Sequence, residues 1–314
     1  MTRPTMRRLA IGLGCGASVA ASAVLLRIAV AQPPPPPSEQ VNLSPDFPAP
    51  KPPEQAPAAA QWNGPQLPTQ ASLPRSADGR HYPLLPATPA EIAALLVAVE
   101  ASLRSPTTLE SDHPRLGHQQ QVIYRVLSHK QGLSDQVRNH IPQAWLSIYD
   151  RHLAARREFL AMHRGGRKPT ALPAWRIIDP EPAENLISYY KKAEAATGIA
   201  WEVLAAVNLV ETAMGRIDGV SVANAQGPMQ FLPTTWAERG IGQGDIRDPH
   251  DAIQAAARYL VRRGGLQDIR KGLWGYNNSD HYGEAVLLYA SMICLLYTSP
   301  SPRDATLSRM PSSA

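Results

Sequence analysis

The sequence VLAAVNLVE, residues 203–211, is an apolar helical run that ends in one acidic residue. Successive residues of an α-helix lie about 100° apart around its axis, which places Glu211 between Leu204 and Val207 on the apolar face. We therefore expect the Glu211 carboxyl group to point toward the core. Burial disfavours the charged form of a carboxyl group, so the pattern predicts a raised pKa and a retained proton near neutral pH. A general acid needs a proton held in this way.

Two further motifs follow this helix, GPMQFLP at residues 227–233 and GYN at residues 275–277. Together with the pair Glu211 and Thr212, they resemble the motifs of lytic transglycosylases, which usually read Glu-Ser, Gly-Leu-Met-Gln and Ala-Tyr-Asn. The resemblance covers about residues 182–290 and rests on the order and spacing of the three motifs. Thr212 departs from the family's serine, because it keeps the hydroxyl group and adds a methyl group.

The resemblance implies a mainly α, lysozyme-like domain that cleaves the β-1,4 bond between N-acetylmuramic acid and N-acetylglucosamine in peptidoglycan. Glu211 would act first as acid and then as base, and the C6 hydroxyl of the sugar would close a 1,6-anhydro ring without a cofactor. Tyr276 is expected to lie near the acid and to hydrogen-bond its carboxyl group. The substrate-binding residues implied by the motifs are Thr212, Ser221, Gln230, Tyr276 and Asn277.

The residues taken one at a time leave other interpretations open. A glutamate near a helix end often caps or pairs, residues 227–230 could begin a hydrophobic helix, and a Tyr-Asn pair is common in loop turns. Two rival functions follow: a muramidase that hydrolyses the same bond with a positioned water, and an inactive module that binds the cell wall. Of the tryptophans, Trp274 is a candidate for sugar stacking, whereas Trp201 and Trp236 fit the core equally well.

Charge, cysteine and histidine content limit the possible partners. The formal charge of +5 comes from arginines near the two ends, so the body is balanced and a basic field for nucleic acid is not indicated. Cys15 and Cys294 lie in those end segments, which leaves no disulfide for the body. The histidines lack zinc-site spacing, and Asp248 and Asp251 suit a helix N-terminus better than a calcium site, so no metal is implied.

The ends of the chain carry features of export and of a foreign sequence. Residues 1–31 have arginines, an apolar run and a small-residue site, which predicts a secretory signal; the alternative is an uncleaved anchor that tethers the protein to a membrane. We therefore expect a secreted or envelope-associated protein. Residues 32–87, rich in proline, are interpreted as a disordered linker. Residues 294–314 break the helical pattern and are interpreted as a non-native tail.

Two helical regions lie between these segments. Residues 88–176, which match no family we can name, are predicted to form a helical hairpin or small bundle of unknown role and partner, beginning with a capping box at Thr88 and Glu91. Residues 177–293 form the predicted transglycosylase domain, with at most a short ribbon between residues 216 and 225. The predicted helices are 119–130 and 134–162, kinked at Pro142, in the first region, and 182–197, 199–214, 233–239, 249–263 and 282–293 in the second.

Overall fold

The computed structural model describes residues 82–105, 107–162 and 175–298 of the 314-residue chain. The predicted signal segment, nearly all of the predicted linker and most of the predicted tail lie outside these residues, and those interpretations stay predictions. Internal contacts divide the chain into two compact units. The described part of the first is residues 82–105, 107–157 and 291–298, and that of the second is residues 158–162 and 175–290.

The first unit is helical, as predicted. Its elements are α1 (Pro89–Arg104), a short 3₁₀ helix (Glu110–Asp112), α2 (His113–His129), α3 (Gln131–Arg138) and α4 (Gln143–Met162), whose last residues group with the second unit. The predicted capping box begins α1, because the Thr88 side chain accepts from the Glu91 amide and the Glu91 carboxylate accepts from the Thr88 amide. Buried apolar side chains from these helices, including Ile92, Leu96, Ile123 and Leu127, form one core cluster.

One predicted helix of this unit is two helices in the structure. The sequence predicted a single helix over residues 134–162 with a kink at Pro142, whereas α3 ends at Arg138 and α4 begins at Gln143. Proline has no amide hydrogen and disfavours helical geometry in the residue before it, so the chain breaks at Ile141 and Pro142. In addition, α2 begins at His113, six residues earlier than predicted.

The second unit is mainly α with one small ribbon. Its elements are β1 (Trp175–Ile177), α5 (Ala183–Thr197), α6 (Trp201–Thr212), β2 (Ile217–Gly219), α7 (Pro233–Trp236), α8 (Pro249–Arg262), α9 (Ile269–Asn277) and α10 (Asp280–Thr298), whose residues 291–298 group with the first unit. The strands β1 and β2 are antiparallel and pair Trp175 with Gly219 and Ile177 with Ile217. The predicted ribbon therefore has one strand inside residues 216–225 and the other before α5.

The helix α8 is central to the second unit and packs against α5, α6 and α9. Its buried face is rich in alanine, which lets the neighbouring helix axes approach closely. Asp248 caps its N-terminus by accepting from the Asp251 amide at 2.9 Å, as the sequence predicted. The C-terminal part of α6, where Glu211 lies, is buried.

The prediction missed one helix of this unit and misjudged the ends of others. Residues 269–277 form α9, which the sequence pattern did not predict as a helix. The helix α7 ends at Trp236 rather than at residue 239, and α10 continues through Thr298 although the helical pattern was expected to stop at residue 293. Among the described residues, no helix combines the length and the hydropathy needed to cross a membrane.

Candidate active site

Glu211 lies in the last turn of α6 with 3 % of its surface exposed. This burial confirms the orientation that the apolar stripe predicted. Its Oε1 atom accepts a hydrogen bond of 2.8 Å from the hydroxyl group of Tyr282, which is itself fully buried in α10. A phenol hydroxyl held at this distance fixes the rotamer of the carboxyl group. The raised pKa expected for Glu211 stays a prediction.

Tyr276 lies beside this pair, and its predicted hydrogen bond to the Glu211 carboxyl group stays a prediction. Its hydroxyl group donates to the carbonyl oxygen of Met229 at 2.8 Å, while Tyr282 donates to Glu211. The rings of Tyr276 and Tyr282 are nearly parallel, at 3°, with centroids 6.3 Å apart. The sequence analysis had linked Tyr276 to the carboxyl group of Glu211 and had not identified Tyr282. Both are buried tyrosines close to the same helix junction, and only the fold shows which hydroxyl reaches which acceptor.

The turn at residues 227–230 is held by side chains that come from α6. The carbonyl oxygen of Pro228 accepts from Thr212 Oγ1 at 2.6 Å and from Asn208 Nδ2 at 2.9 Å. Thr212 is 1 % exposed, and its hydroxyl also accepts from the Gly215 amide at 3.0 Å. Thr212 therefore fixes the turn against the end of α6, and its predicted contact with substrate stays a prediction.

Asn208 is a site residue that sequence reasoning missed, although a buried amide within an apolar helix was available as a signal. The Tyr190 hydroxyl donates to Asn208 Oδ1 at 2.6 Å, which orients the amide so that Nδ2 faces the Pro228 carbonyl. Burial raises the pKa of the Tyr190 phenol, so this hydroxyl stays protonated and remains a donor.

Backbone geometry explains the glycine that opens this turn. Gly227 has a φ of 72°, and a Cβ atom there would lie 1.9 Å from the carbonyl oxygen of Ile246. Any side chain would therefore force the two segments apart. Gln230, with a φ of 50°, donates from Nε2 to the Gly227 carbonyl at 3.0 Å and closes the turn. The described contact of the Gln230 side chain is thus internal to the turn.

The two remaining predicted residues are Ser221 and Asn277, each 7 % exposed. Ser221 Oγ accepts from the amides of Ala223 and Ala225 at 3.2 and 2.9 Å, so it organises its own loop. Asn277 is the last residue of α9, directly before the left-handed residue Asn278. The structure therefore joins Thr212, Gln230 and Tyr276 around one turn, whereas the described hydrogen bonds of Ser221 stay within its own loop.

The second unit contains the three motifs, and residues 188–281 match the family model described as Transglycosylase SLT domain. This segment is a transglycosylase SLT domain. The mainly α, lysozyme-like fold class predicted from the sequence is confirmed. The match includes Glu211 and Tyr276 and ends one residue before Tyr282. No curated protein and no solved structure matches the chain.

The tryptophans of the SLT domain differ in exposure. Trp274 on α9 is 43 % exposed and remains the candidate for sugar stacking. Trp236 packs edge-on against the buried Phe231, with ring centroids 5.6 Å apart, as expected of a core aromatic. Trp201 is half-buried at the start of α6.

One group of potential metal ligands occurs in the described part of the chain, at Asp248, His250 and Asp251. Asp248 caps α8, and Asp251 accepts from the Asp245 amide at 3.0 Å and contacts His250 Nδ1 at 3.0 Å. The hydrogen bond from the Asp245 amide holds the pKa of Asp251 below its ordinary value. His250 Nε2 lies 3.0 Å from the Lys192 ammonium group. These contacts explain why the three residues lie close together: they belong to the capped N-terminus of α8.

Proposed function

We propose that the SLT domain is a lytic transglycosylase that cleaves the β-1,4 bond between N-acetylmuramic acid and N-acetylglucosamine and leaves 1,6-anhydro ends. The family match supports a function of the lytic-transglycosylase type on peptidoglycan. The observation that carries the proposal is the buried Glu211 carboxyl group with the Tyr282 hydroxyl group on its Oε1 atom.

In the first step, Glu211 acts as the acid. Because Oε1 accepts from Tyr282, the proton of the neutral carboxyl group belongs on Oε2, where it can reach the glycosidic oxygen. Transfer of this proton lets the bond between the anomeric carbon and the glycosidic oxygen break. The leaving N-acetylglucosamine departs as an alcohol, and positive charge develops at the anomeric carbon. The ionised carboxylate of Glu211 remains beside that charge.

In the second step, the same carboxylate acts as the base. It takes the proton from the C6 hydroxyl group of the muramic acid as the C6 oxygen bonds to the anomeric carbon. The ring closes to the 1,6-anhydro product, and Glu211 recovers its proton. No water is consumed and no cofactor is required. A single carboxyl group that changes role suits a chain in which one buried glutamate follows the apolar stripe of α6.

The neighbouring residues have two kinds of role in this proposal. Thr212, Asn208 and Tyr276 hold the backbone of residues 227–230 through hydrogen bonds to its carbonyl oxygens. Their contribution is to position the turn beside the acid. Substrate contact is proposed for Gln230, Ser221 and Asn277, whose types the family motifs place near the sugar. Trp274, exposed on α9, is proposed to stack on a sugar ring.

The domain organisation and location follow as part of the proposal. We assign the catalytic domain to residues 177–293 and the preceding helical region to residues 88–176, for which no partner is assigned. Its substrate, the glycan strands of peptidoglycan, lies outside the cytoplasmic membrane, so the protein would be exported or attached to the envelope. The predicted signal or anchor at residues 1–31 agrees with this location.

The test is mass spectrometry of the soluble products formed when the purified full-length chain is incubated with peptidoglycan. Products one water lighter than reducing muropeptides are expected. Glu211→Gln should yield none, because the amide keeps the shape of the side chain but cannot donate and recover the proton. Reducing products would instead assign the hydrolytic muramidase, and no products from a folded protein would favour the wall-binding module. Equal cleavage by Glu211→Gln would exclude Glu211 as the acid.

A further inference from the structure

A cavity of about 200 Å³ is lined by residues of α3 and α4, in the helical unit whose role the sequence leaves open. Its charged lining consists of Asp135 and Arg138 from α3 and Asp150 and Arg157 from α4. None of these residues belongs to the SLT domain, and the proposed reaction does not use them. The cavity is therefore a separate feature that needs its own explanation.

Two of the four charges neutralise each other. Arg138 donates from Nε and Nη2 to the two carboxylate oxygens of Asp150, each at 2.8 Å. This two-pronged geometry matches the guanidinium group to the carboxylate, so the two charges largely offset each other although both side chains are partly exposed. The lining that remains available for a ligand is one cation, Arg157, and one anion, Asp135.

In the described part of the chain, the side chains of Arg157 and Asp135 hydrogen-bond to neutral groups only. Arg157 Nη2 donates to the hydroxyl group of Ser134 at 2.6 Å, and Asp135 accepts from the side-chain amide of Gln131 at 3.0 Å. Within residues 82–105, 107–162 and 175–298, neither of the two forms an ion pair, whether with each other or with a third residue. The cavity thus presents one positive and one negative side chain that form no ion pair in these ranges, although the pKa of the Arg138 guanidinium group is raised first by its hydrogen bond to Asp150 and also by the nearby Asp135 carboxylate.

We propose that this cavity binds a small zwitterion of the α-amino acid class. The ligand carboxylate would contact the Arg157 guanidinium group, and its ammonium group would contact the Asp135 carboxylate. Leu153 and Ala154 give the cavity an apolar wall, which suits a small apolar side chain. Pockets for drug-sized ligands begin at roughly 300 Å³, so a cavity of about 200 Å³ favours a single amino acid over a long peptide.

The test uses isothermal titration calorimetry of the full-length chain with alanine, in separate titrations of the L and D forms. At least one form should bind. N-acetylalanine lacks the ammonium group and alaninamide lacks the carboxylate, so each should bind at least about 10-fold more weakly. Alanyl-alanine separates the two charges by a peptide unit, and tighter binding of this dipeptide than of alanine would assign a peptide end rather than a free amino acid as the source of the zwitterion.

Substitutions of the residues that line the cavity distinguish binding in the cavity from nonspecific binding to the protein surface. Arg157→Gln and Asp135→Asn should each weaken alanine binding about 10-fold or more, because each removes one charge contact while keeping the shape. Arg151→Gln is the matched control, since Arg151 lies on the same helix but does not line the cavity. Asp135 is exposed, so its variant should fold even if Arg157→Gln does not. Absence of binding to the unmodified protein, or unchanged binding in the folded variants, would refute the proposal.

Discussion

Each of the two units has a deeply buried glutamate among its described residues, and the two glutamates are assigned different roles. Glu100 in α1 is 2 % exposed, and Glu211 in α6 is 3 % exposed. Glu100 Oε1 accepts from Tyr124 and Gln120, each at 2.9 Å, and Oε2 pairs with Arg104. Glu211 Oε1 likewise accepts from a phenol hydroxyl group, that of Tyr282. Glu100 is held in an ion pair with Arg104, whereas Glu211 is proposed above to hold a proton.

The surroundings of Glu100 decide its charge. Burial raises the pKa of this carboxyl group, but the charges and hydrogen bonds around it outweigh burial, and the pKa lies below its ordinary value. His152, 3.9 Å from Glu100, has a pKa that burial lowers to about 4, so it is neutral at pH 7. Arg104 is therefore the cation that keeps Glu100 ionised near neutral pH. A buried glutamate is a structural anion where a cation accompanies it, and burial alone does not make it an acid catalyst.

The largest expected effect is a loss of activity that leaves stability nearly unchanged. Glu211→Gln should lower the cleavage rate by at least about 1,000-fold, since general acid–base catalysis typically contributes 10²- to 10⁴-fold and here one group supplies both steps. The midpoint of urea unfolding should change little, because the amide can still accept from Tyr282. Rates are measured by release of soluble muropeptides. A variant that loses activity only because it unfolds would remove the support for a catalytic Glu211.

The converse effect is expected for Glu100→Gln. This change leaves Arg104 beside a neutral amide, and breaking a buried ion pair costs about 3–5 kcal/mol when both partners are fully buried. Arg104 is 24 % exposed, so we expect about 2–3 kcal/mol of lost unfolding free energy. Urea unfolding followed by circular dichroism measures it, with the exposed Glu110→Gln as control. Equal midpoints for the two variants would contradict the structural role of Glu100.

The pH dependence of stability tests the same cluster. His152 has a folded pKa of about 4 against an ordinary value of 6.5, so between these values the unfolded chain binds the extra proton. Stability is therefore present above about pH 6.5 and falls as the pH drops toward 4. Thermal unfolding at a series of pH values measures the slope. His152→Gln has no such proton to bind and should show a flatter profile; an unchanged slope would assign the dependence to other groups.

A smaller effect is expected from the hydroxyl group that accompanies Glu211. Tyr282→Phe should lower the cleavage rate by about 10-fold, because the carboxyl group loses the hydrogen bond that fixes its rotamer. The fold should persist, since the ring and its stacking on Tyr276 remain. Tyr189→Phe removes a phenol elsewhere in the same unit and serves as control. A full rate in Tyr282→Phe would show that Glu211 is oriented by other contacts.

The smallest effect is expected at the turn. Thr212→Val removes the hydrogen bond to the Pro228 carbonyl and should lower the unfolding free energy by about 1 kcal/mol. Thr212→Ser keeps the hydroxyl group and should lose less stability and activity than Thr212→Val. Parallel unfolding and cleavage measurements on the two variants separate the hydroxyl group from the methyl group. If serine is as damaging as valine, the methyl group rather than the hydrogen bond is what the turn requires.

The sequence by itself determined the features that depend on neighbouring residues. The periodicity of α6 placed Glu211 on a buried face, the Thr88 capping box located the start of α1, and Asp248 before proline located the start of α8. Helical periodicity and capping act within a few residues, so they can be read without the fold. The order of the motifs likewise indicated the domain that the match to the SLT family model supports.

Only the tertiary structure decided which groups meet. Tyr282 reaches Glu211 across 71 residues of sequence, and Tyr276 reaches Met229 across 47, so their partners were not readable from local spacing. The same holds for Thr212, whose hydroxyl group turned out to hold the Pro228 carbonyl. A buried hydroxyl group donates to whichever acceptor the packing brings within about 3 Å, and small shifts of a helix change that acceptor. Local sequence fixes which face a side chain occupies, while the packing of distant segments fixes its partner.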